Sequence, residues 1–167
     1  MSLTRNKTRE HDFRLENILG NVINDDAEAI QIRYFPNSPE LVMNDRGDWC
    51  DLYVYEDMTL KAGEFACVPL GVAMKLPDGY EAIIAPRSST FKRTGLIQTN
   101  SIGVIDNSYS GNDDQWMMPV YATRDVIIEK GTRLCQFRIQ KRQPELVFNA
   151  VASLSDSNRG GFGTSGA

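Results

Sequence analysis

Between Pro86 and Gly111 the chain reads PRSSTFKRTGLIQTNSIGVIDNSYSG, a run that gathers a guanidinium, two adjacent hydroxyls, a carboxylate and an aromatic ring. Arg87 offers a planar fork of donors suited to phosphate oxygens, and Ser88 and Ser89 place hydroxyl donors beside it. Asp106 closes the apolar run Gly103-Val104-Ile105, which predicts a carboxylate buried at the inner end of a strand. A carboxylate there is costly unless it has a partner or a chemical task. Tyr109 follows three residues later and sets a flat ring close to that acid. A base, phosphate donors and a ring in this order are the parts needed to hydrolyse a nucleoside triphosphate: an aligned water, a group to take its proton and a means of neutralising phosphate charge.

Strands must position these groups. Segments 29–35, 50–55, 64–76, 80–85, 96–105, 116–128 and 133–140 are rich in β-branched and aromatic residues and partly alternate. Between them, Lys61-Ala62-Gly63, Pro77-Asp78-Gly79 and Glu129-Lys130-Gly131 supply turn chemistry at a spacing that suits a sandwich or barrel better than a βαβ array. The expected fold is all-β, with one short helix that hydroxyl residues after Ser88 can cap and Gly95 can end. The helix N–H groups would face an anion held by Arg87.

The composition narrows the function. A chain of 167 residues is long enough for one domain with its own core, and 41% hydrophobic residues is ordinary for a globular protein. No apolar run approaches the ~20 residues of a membrane span, and no leader pattern is visible, so a cytoplasmic location is expected. The net charge of -4 argues against binding duplex nucleic acid, which calls for a basic face. Cys50, Cys67 and Cys135 lack paired spacing and lie in apolar contexts, so all three read as free buried thiols. The lone histidine, His11, stands in a weakly patterned segment, which disfavours histidine-based catalysis. Three parts are expected: a segment 1–27 of undetermined structure, a β domain over 28–152, and a glycine-rich arm over 153–167 whose composition cannot hold a fold alone.

Five ordered motifs between Asp48 and Gly166 resemble those of the trimeric dUTP diphosphatase (dUTPase) family. They are Asp48-Trp49-Cys50-Asp51-Leu52-Tyr53, Pro86-Arg87-Ser88-Ser89, Gly103-Val104-Ile105-Asp106 through Tyr109 and Gly111, Gly131-Thr132-Arg133-Leu134-Cys135-Gln136, and the tail Arg159-Gly160-Gly161-Phe162-Gly163-Thr164-Ser165-Gly166. The resemblance implies a jelly-roll subunit, a homotrimer with active sites between subunits, and hydrolysis of dUTP to dUMP and pyrophosphate with Mg²⁺. It implies that Asp106 activates the water and that Tyr109 packs under the deoxyribose. Ser88 would lie near the bridging oxygen, with Arg87 and Ser89 supporting the phosphates. Asn100 and the strand residues Gly103, Val104 and Ile105 would line the base and sugar, and Gln136 would lie on the phosphate side. Asp51 would hold a water on Mg²⁺ without binding the metal directly. The arm would close over the ligand through Arg159, Gly163, Thr164 and Ser165, with Phe162 stacking on the base.

The sequence departs from the family pattern at three places. Ser108 and Ser110 flank Tyr109 where an acidic and a basic or amide residue are usual. The stretch Asn112 to Trp116 is longer and more acidic than a minimal hairpin needs. Arg159 and Phe162 stand two residues closer than in the common spelling of the arm, which leaves Trp116 and Phe91 as alternative stacking rings. The competing readings are a dCTP deaminase-like enzyme of the same fold and a nucleotide-responsive protein with a regulatory protein partner, for which segment 1–27 and Asn112 to Trp116 are candidate surfaces.

Overall fold

A computed structural model of the chain describes residues 30–43 and 47–154. Among these residues eleven strands and one short helix follow one another: β1 (Gln31–Tyr34), β2 (Cys50–Tyr53), β3 (Met58–Leu60), β4 (Phe65–Pro69), β5 (Val72–Lys75), β6 (Tyr80–Pro86), α1 (Thr90–Thr94), β7 (Leu96–Gln98), β8 (Gly103–Ile105), β9 (Met117–Ala122), β10 (Val126–Ile128) and β11 (Arg133–Lys141). Every pairing among them is antiparallel. A four-stranded sheet of order β2-β11-β6-β8 and a three-stranded sheet of order β4-β9-β7 carry the frame, with the pairs β1-β5 and β3-β10 beside them. This is the all-β, jelly-roll-like architecture expected from the sequence.

Period-two alternation builds the core. In β2, Cys50 and Leu52 are buried while Asp51 and Tyr53 are half-buried, and in β9 Met118, Val120 and Ala122 turn inward. Leu52, Val54, Val68, Ile84, Leu96 and Leu134 join them in one apolar cluster. Trp116 is fully buried, and its ring meets Phe137 edge-on at 5.3 Å. A wholly buried ring in the core cannot serve as a stacking lid, which removes Trp116 from the alternatives; Phe91 is exposed.

Three of the long strand runs are divided. Segment 64–76 breaks at Gly71, whose φ of +70° turns the chain from β4 into β5. Segment 96–105 breaks at a tight turn over Thr99–Ile102, where Ser101 takes φ +57°. Segment 116–128 breaks after Ala122. Strand β3 lacks a strong sequence signal and is held by pairing with β10. Helix α1 ends at Gly95 in the left-handed region as expected, but Ser89 makes no side-chain cap. The hydroxyl that organises this corner is Thr90: Oγ1 accepts from the Arg87 N–H at 3.0 Å and donates to the Leu134 carbonyl at 2.6 Å.

Candidate active site

The outer face of the four-stranded sheet brings three of the motifs together. Gln136 of β11 lies between Asp51 of β2 and Ala85 of β6 in one cross-strand row. Alternation turns Asp51, Gln136 and Ala85 away from the buried Leu52, Cys135 and Ile84. Arg87 stands two residues past Ala85, on that same face. Its Nε donates to Asp51 Oδ1 at 2.7 Å, and Arg133 Nη1 reaches Asp51 Oδ2 at 3.3 Å. Asp51 and Arg87 are each about one-fifth exposed, so this pair is held in geometry more firmly than a surface ion pair. Gln136 Nε2 donates to the Pro86 carbonyl at 3.4 Å, which ties the fourth motif to the second.

The partner of Arg87 is therefore Asp51. One guanidinium edge is fixed on a carboxylate, and its remaining N–H groups are available to an anion. Ser88 is exposed beside it and Ser89 half-buried. A cavity of about 480 Å³ opens here, lined by Arg87, Ser88, Phe91, Ile97, Gln98 and Ser101 among others.

Asp106 lies elsewhere on the sheet. The last paired residue of β8, Ile105, faces Ala82 of β6, so Asp106 falls in line with Glu81, near the start of β6, whereas Arg87 follows its end. Six residues at ~3.3 Å each separate the two positions by about 20 Å. Asp106 is exposed, not buried, because it is the residue after inward-facing Ile105 and turns outward. It lines a separate cavity of about 310 Å³ with Tyr80, Glu81, Asn107, Ser108 and Arg142.

A turn carries the acid and the ring together. The Tyr109 N–H donates to the Asp106 carbonyl at 3.0 Å, closing a turn that leaves Tyr109 40% exposed. Tyr109 Oη donates to the Gln115 carbonyl at 3.1 Å. Asn107 Nδ2 donates to the carbonyls of Leu76 and Pro77, both at 2.8 Å, and pins the turn to the β5–β6 connection. Beyond it, Arg33 donates to the Asn112 carbonyl, pairs with Asp113 at 3.6 Å and lies over the Phe35 ring. With Trp116 in the core, only Asn112 and Asp113 of the longer stretch are prominent at the surface.

Asn100 is exposed at the β7–β8 turn. Gly103 pairs with Ile84, and a Cβ there would come within 3.1 Å of the Ile84 Cβ, so glycine permits the close strand contact. Val104 is exposed and Ile105 half-buried. Arg159, Phe162, Gly163, Thr164 and Ser165 lie outside the described residues, as do His11 and segment 1–27.

Asp51, Gln136 and Arg87 thus come together with Ser88, while Asp106 and Tyr109 form a second group. The sequence reading did not single out Arg133, Thr90 or Asn107 individually. Arg133 stands within the fourth motif with no role of its own assigned, and a hydroxyl at a helix start or an asparagine in a turn is common enough to pass as local turn chemistry.

Among the described residues no group of three or more histidine, cysteine or acidic side chains is placed to hold a metal ion. Both Asp51 oxygens face arginines, yet a carboxylate has about four acceptor sites and can still accept a water. Two guanidinium groups disfavour a bare cation here, so the donor set fits Mg²⁺ carried by a polyphosphate and touched through water. Burial, then the charge of Asp51, pushes Cys50 and Cys135 up from their ordinary pKa and disfavours the thiolate at both. Cys67, expected to be buried, is exposed because its side chain points out of β4.

The family profile for dUTPase matches residues 50–166. The chain belongs to the dUTPase family. It is 51% identical over 138 residues to the SPbeta prophage-derived deoxyuridine 5'-triphosphate nucleotidohydrolase YosS of Bacillus subtilis (strain 168), an alignment covering 82% of this chain and 97% of that protein. Among solved dUTPase structures, a point mutant of the Staphylococcus bacteriophage 80alpha enzyme with dUpNHpp superposes with a TM-score of 0.68 at 22% identity, covering 84% of this chain and all of the other. A point mutant of the dUTPase from phage phi11 of S. aureus, which coordinates a structural Mg(II) ion, superposes with a TM-score of 0.66 at 18% identity, covering 74% of this chain and 97% of that one. At these identities the structures speak for the fold.

Proposed function

We propose that the chain hydrolyses dUTP to dUMP and pyrophosphate, in active sites that form between copies of itself in a homotrimer. The observation that carries the shared site is the register of β6: Asp106 and the Arg87–Asp51 pair sit about 20 Å apart on one sheet face. A general base acts within about 3 Å of the proton it takes, directly or through one water. Asp106 of one subunit therefore serves the phosphates held by Arg87 of another.

Two further observations support assembly. The outer face of the three-stranded sheet aligns Phe65, Tyr121 and Ile97 in one row, each at least 43% exposed. Beyond Lys141 the chain continues without regular structure through Leu154, with Val147 and Phe148 about 90% exposed. Apolar side chains in such positions suit burial against other subunits.

In the chemical step Asp106 orients the water and takes its proton as the water oxygen attacks the α phosphorus. The bond from that phosphorus to the bridging oxygen breaks, and pyrophosphate leaves. Arg87 neutralises charge on the phosphates, Asp51 and Arg133 fix the guanidinium, and Ser88 with Ser89 donates to phosphate oxygens. Tyr109 packs under the sugar, Asn100 with Gly103, Val104 and Ile105 faces the base and sugar, and Gln136 lies on the phosphate side. Asp51 would hold a water of Mg²⁺ carried by the triphosphate, and the ion would supply further charge neutralisation there. The arm residues Arg159, Phe162, Gly163, Thr164 and Ser165 close the site.

Purified protein given dUTP or dCTP with Mg²⁺ tests the reading when pyrophosphate and ammonia are measured separately. Pyrophosphate from dUTP without ammonia from dCTP is expected. Ammonia release from dCTP would replace this reading with that of a deaminase.

A further inference from the structure

Gln98 is the last residue of β7 and faces inward with Leu96, a member of the apolar core cluster. It is only 6% exposed. Its Nε2 donates to the Ile84 carbonyl at 3.2 Å and to Asn100 Oδ1 at 3.0 Å. Its Oε1 is buried and has no hydrogen-bond partner. An orphaned buried acceptor lowers stability, and a leucine would fill a similar space without that loss. Against that loss stands the donor that Gln98 gives the Ile84 carbonyl, so the two effects on stability oppose each other. What the apolar residue lacks is the pair of N–H donors.

Those donors settle the orientation of a second amide. The Ile84 carbonyl only accepts, so the Gln98 atom against it must be the nitrogen. The other hydrogen of that nitrogen then meets Asn100, which must present Oδ1 inward. Asn100 Nδ2, with both its hydrogens, is left to point away from Gln98 at the exposed turn. An asparagine without such a neighbour can offer either end of its amide.

We propose that Gln98 is a positioning residue for base selection: by locking Asn100 with its donor end outward, it favours a pyrimidine carrying a carbonyl over one carrying an amino group at the same ring position. This rests on the reading above, in which Asn100 faces the base. A fixed donor complements the uracil oxygen and opposes the cytosine amino group, donor against donor. Gln98 also lines the cavity beside Arg87 and Ser88, but its contact with Asn100 is to the inward Oδ1, which leaves the outward end of that amide to the ligand.

The test is the ratio of kcat/KM for dUTP to that for dCTP in intact trimers of Gln98→Leu and of Gln98→Met, which keeps the length of the side chain. Both should narrow the ratio at least about tenfold. Asn100→Ala should narrow it too, and adding Gln98→Leu to Asn100→Ala should change it no further. A role confined to hairpin stability would lower both substrates alike and leave the ratio unchanged, which would overturn the proposal, as would independent addition of the two substitutions. Equilibrium binding of dUMP and dCMP gives the corresponding ratio without turnover. Failure of the unmutated protein to hydrolyse dUTP therefore sinks the hydrolase reading, whereas a binding ratio untouched by the Gln98 substitutions sinks the role of Gln98. In the unmutated protein, NMR should find the Gln98 side-chain amide hydrogens protected from exchange and those of Asn100 exchanging freely; the reverse pattern contradicts the lock.

Discussion

Replacing Asp106 by asparagine is expected to reduce turnover of dUTP at least about a hundredfold while leaving fold and assembly intact. The separation of effects follows from position. Asp106 is exposed just past the end of β8, and its neighbour Asn107 holds the turn through two backbone carbonyls. Asparagine keeps the shape of aspartate and removes only the capacity to take a proton. On the proposed reading the thermal transition and the assembly should be unchanged, and KM should move much less than kcat, because the substitution leaves a sugar packed on Tyr109 untouched. Turnover close to that of the unmutated protein would remove Asp106 from the role of base.

Arg87→Ala should cost more broadly, lowering kcat/KM by about two to three powers of ten, the range for loss of one aimed donor at developing charge. The substitution also leaves Asp51 with Arg133 alone, at 3.3 Å and with that arginine about half exposed. On the proposed reading a carboxylate then faces the phosphates with only part of its neutralising charge. Arg87→Lys should recover little, since an ammonium cannot hold Asp51 through one edge and offer phosphate a planar pair of donors through the other. Steady-state kinetics on both variants checks this, and recovery by lysine to near the original rate would argue that charge alone, without the fork, suffices.

Much of the fold was legible because alternation is a strong signal where one face of a strand is buried. Leu52, Ile84, Val120 and Phe137 declare their strands that way. What failed were the ends of strands. Gly71 and Ser101 break runs that look continuous, since the turn depends on positive φ at one residue and not on any loss of apolar character. Trp116 is ambiguous in one dimension: a ring beside an acidic loop resembles a lid until the contact with Phe137 places it in the core. Asp106 read as buried because it follows an apolar run, but a single step of the pleat turns it out. Spacing along the chain brought Arg87 and Asp106 into one motif-rich stretch; antiparallel pairing across β6 sends them to opposite ends of a strand. That distance was invisible in sequence order.

The shared site is tested most directly by mixing two inactive chains. Asp106→Asn and Arg87→Ala proteins, unfolded together in equal amounts and reassembled, give trimers in which some interfaces pair an intact Asp106 from one chain with an intact Arg87 from the next. Random assembly makes about a quarter of the sites whole, so close to a quarter of the original dUTP turnover should return, while either variant reassembled alone stays inactive. Verified mixed trimers that remain as inactive as their parents would contradict a site built from Asp106 and Arg87 of different subunits.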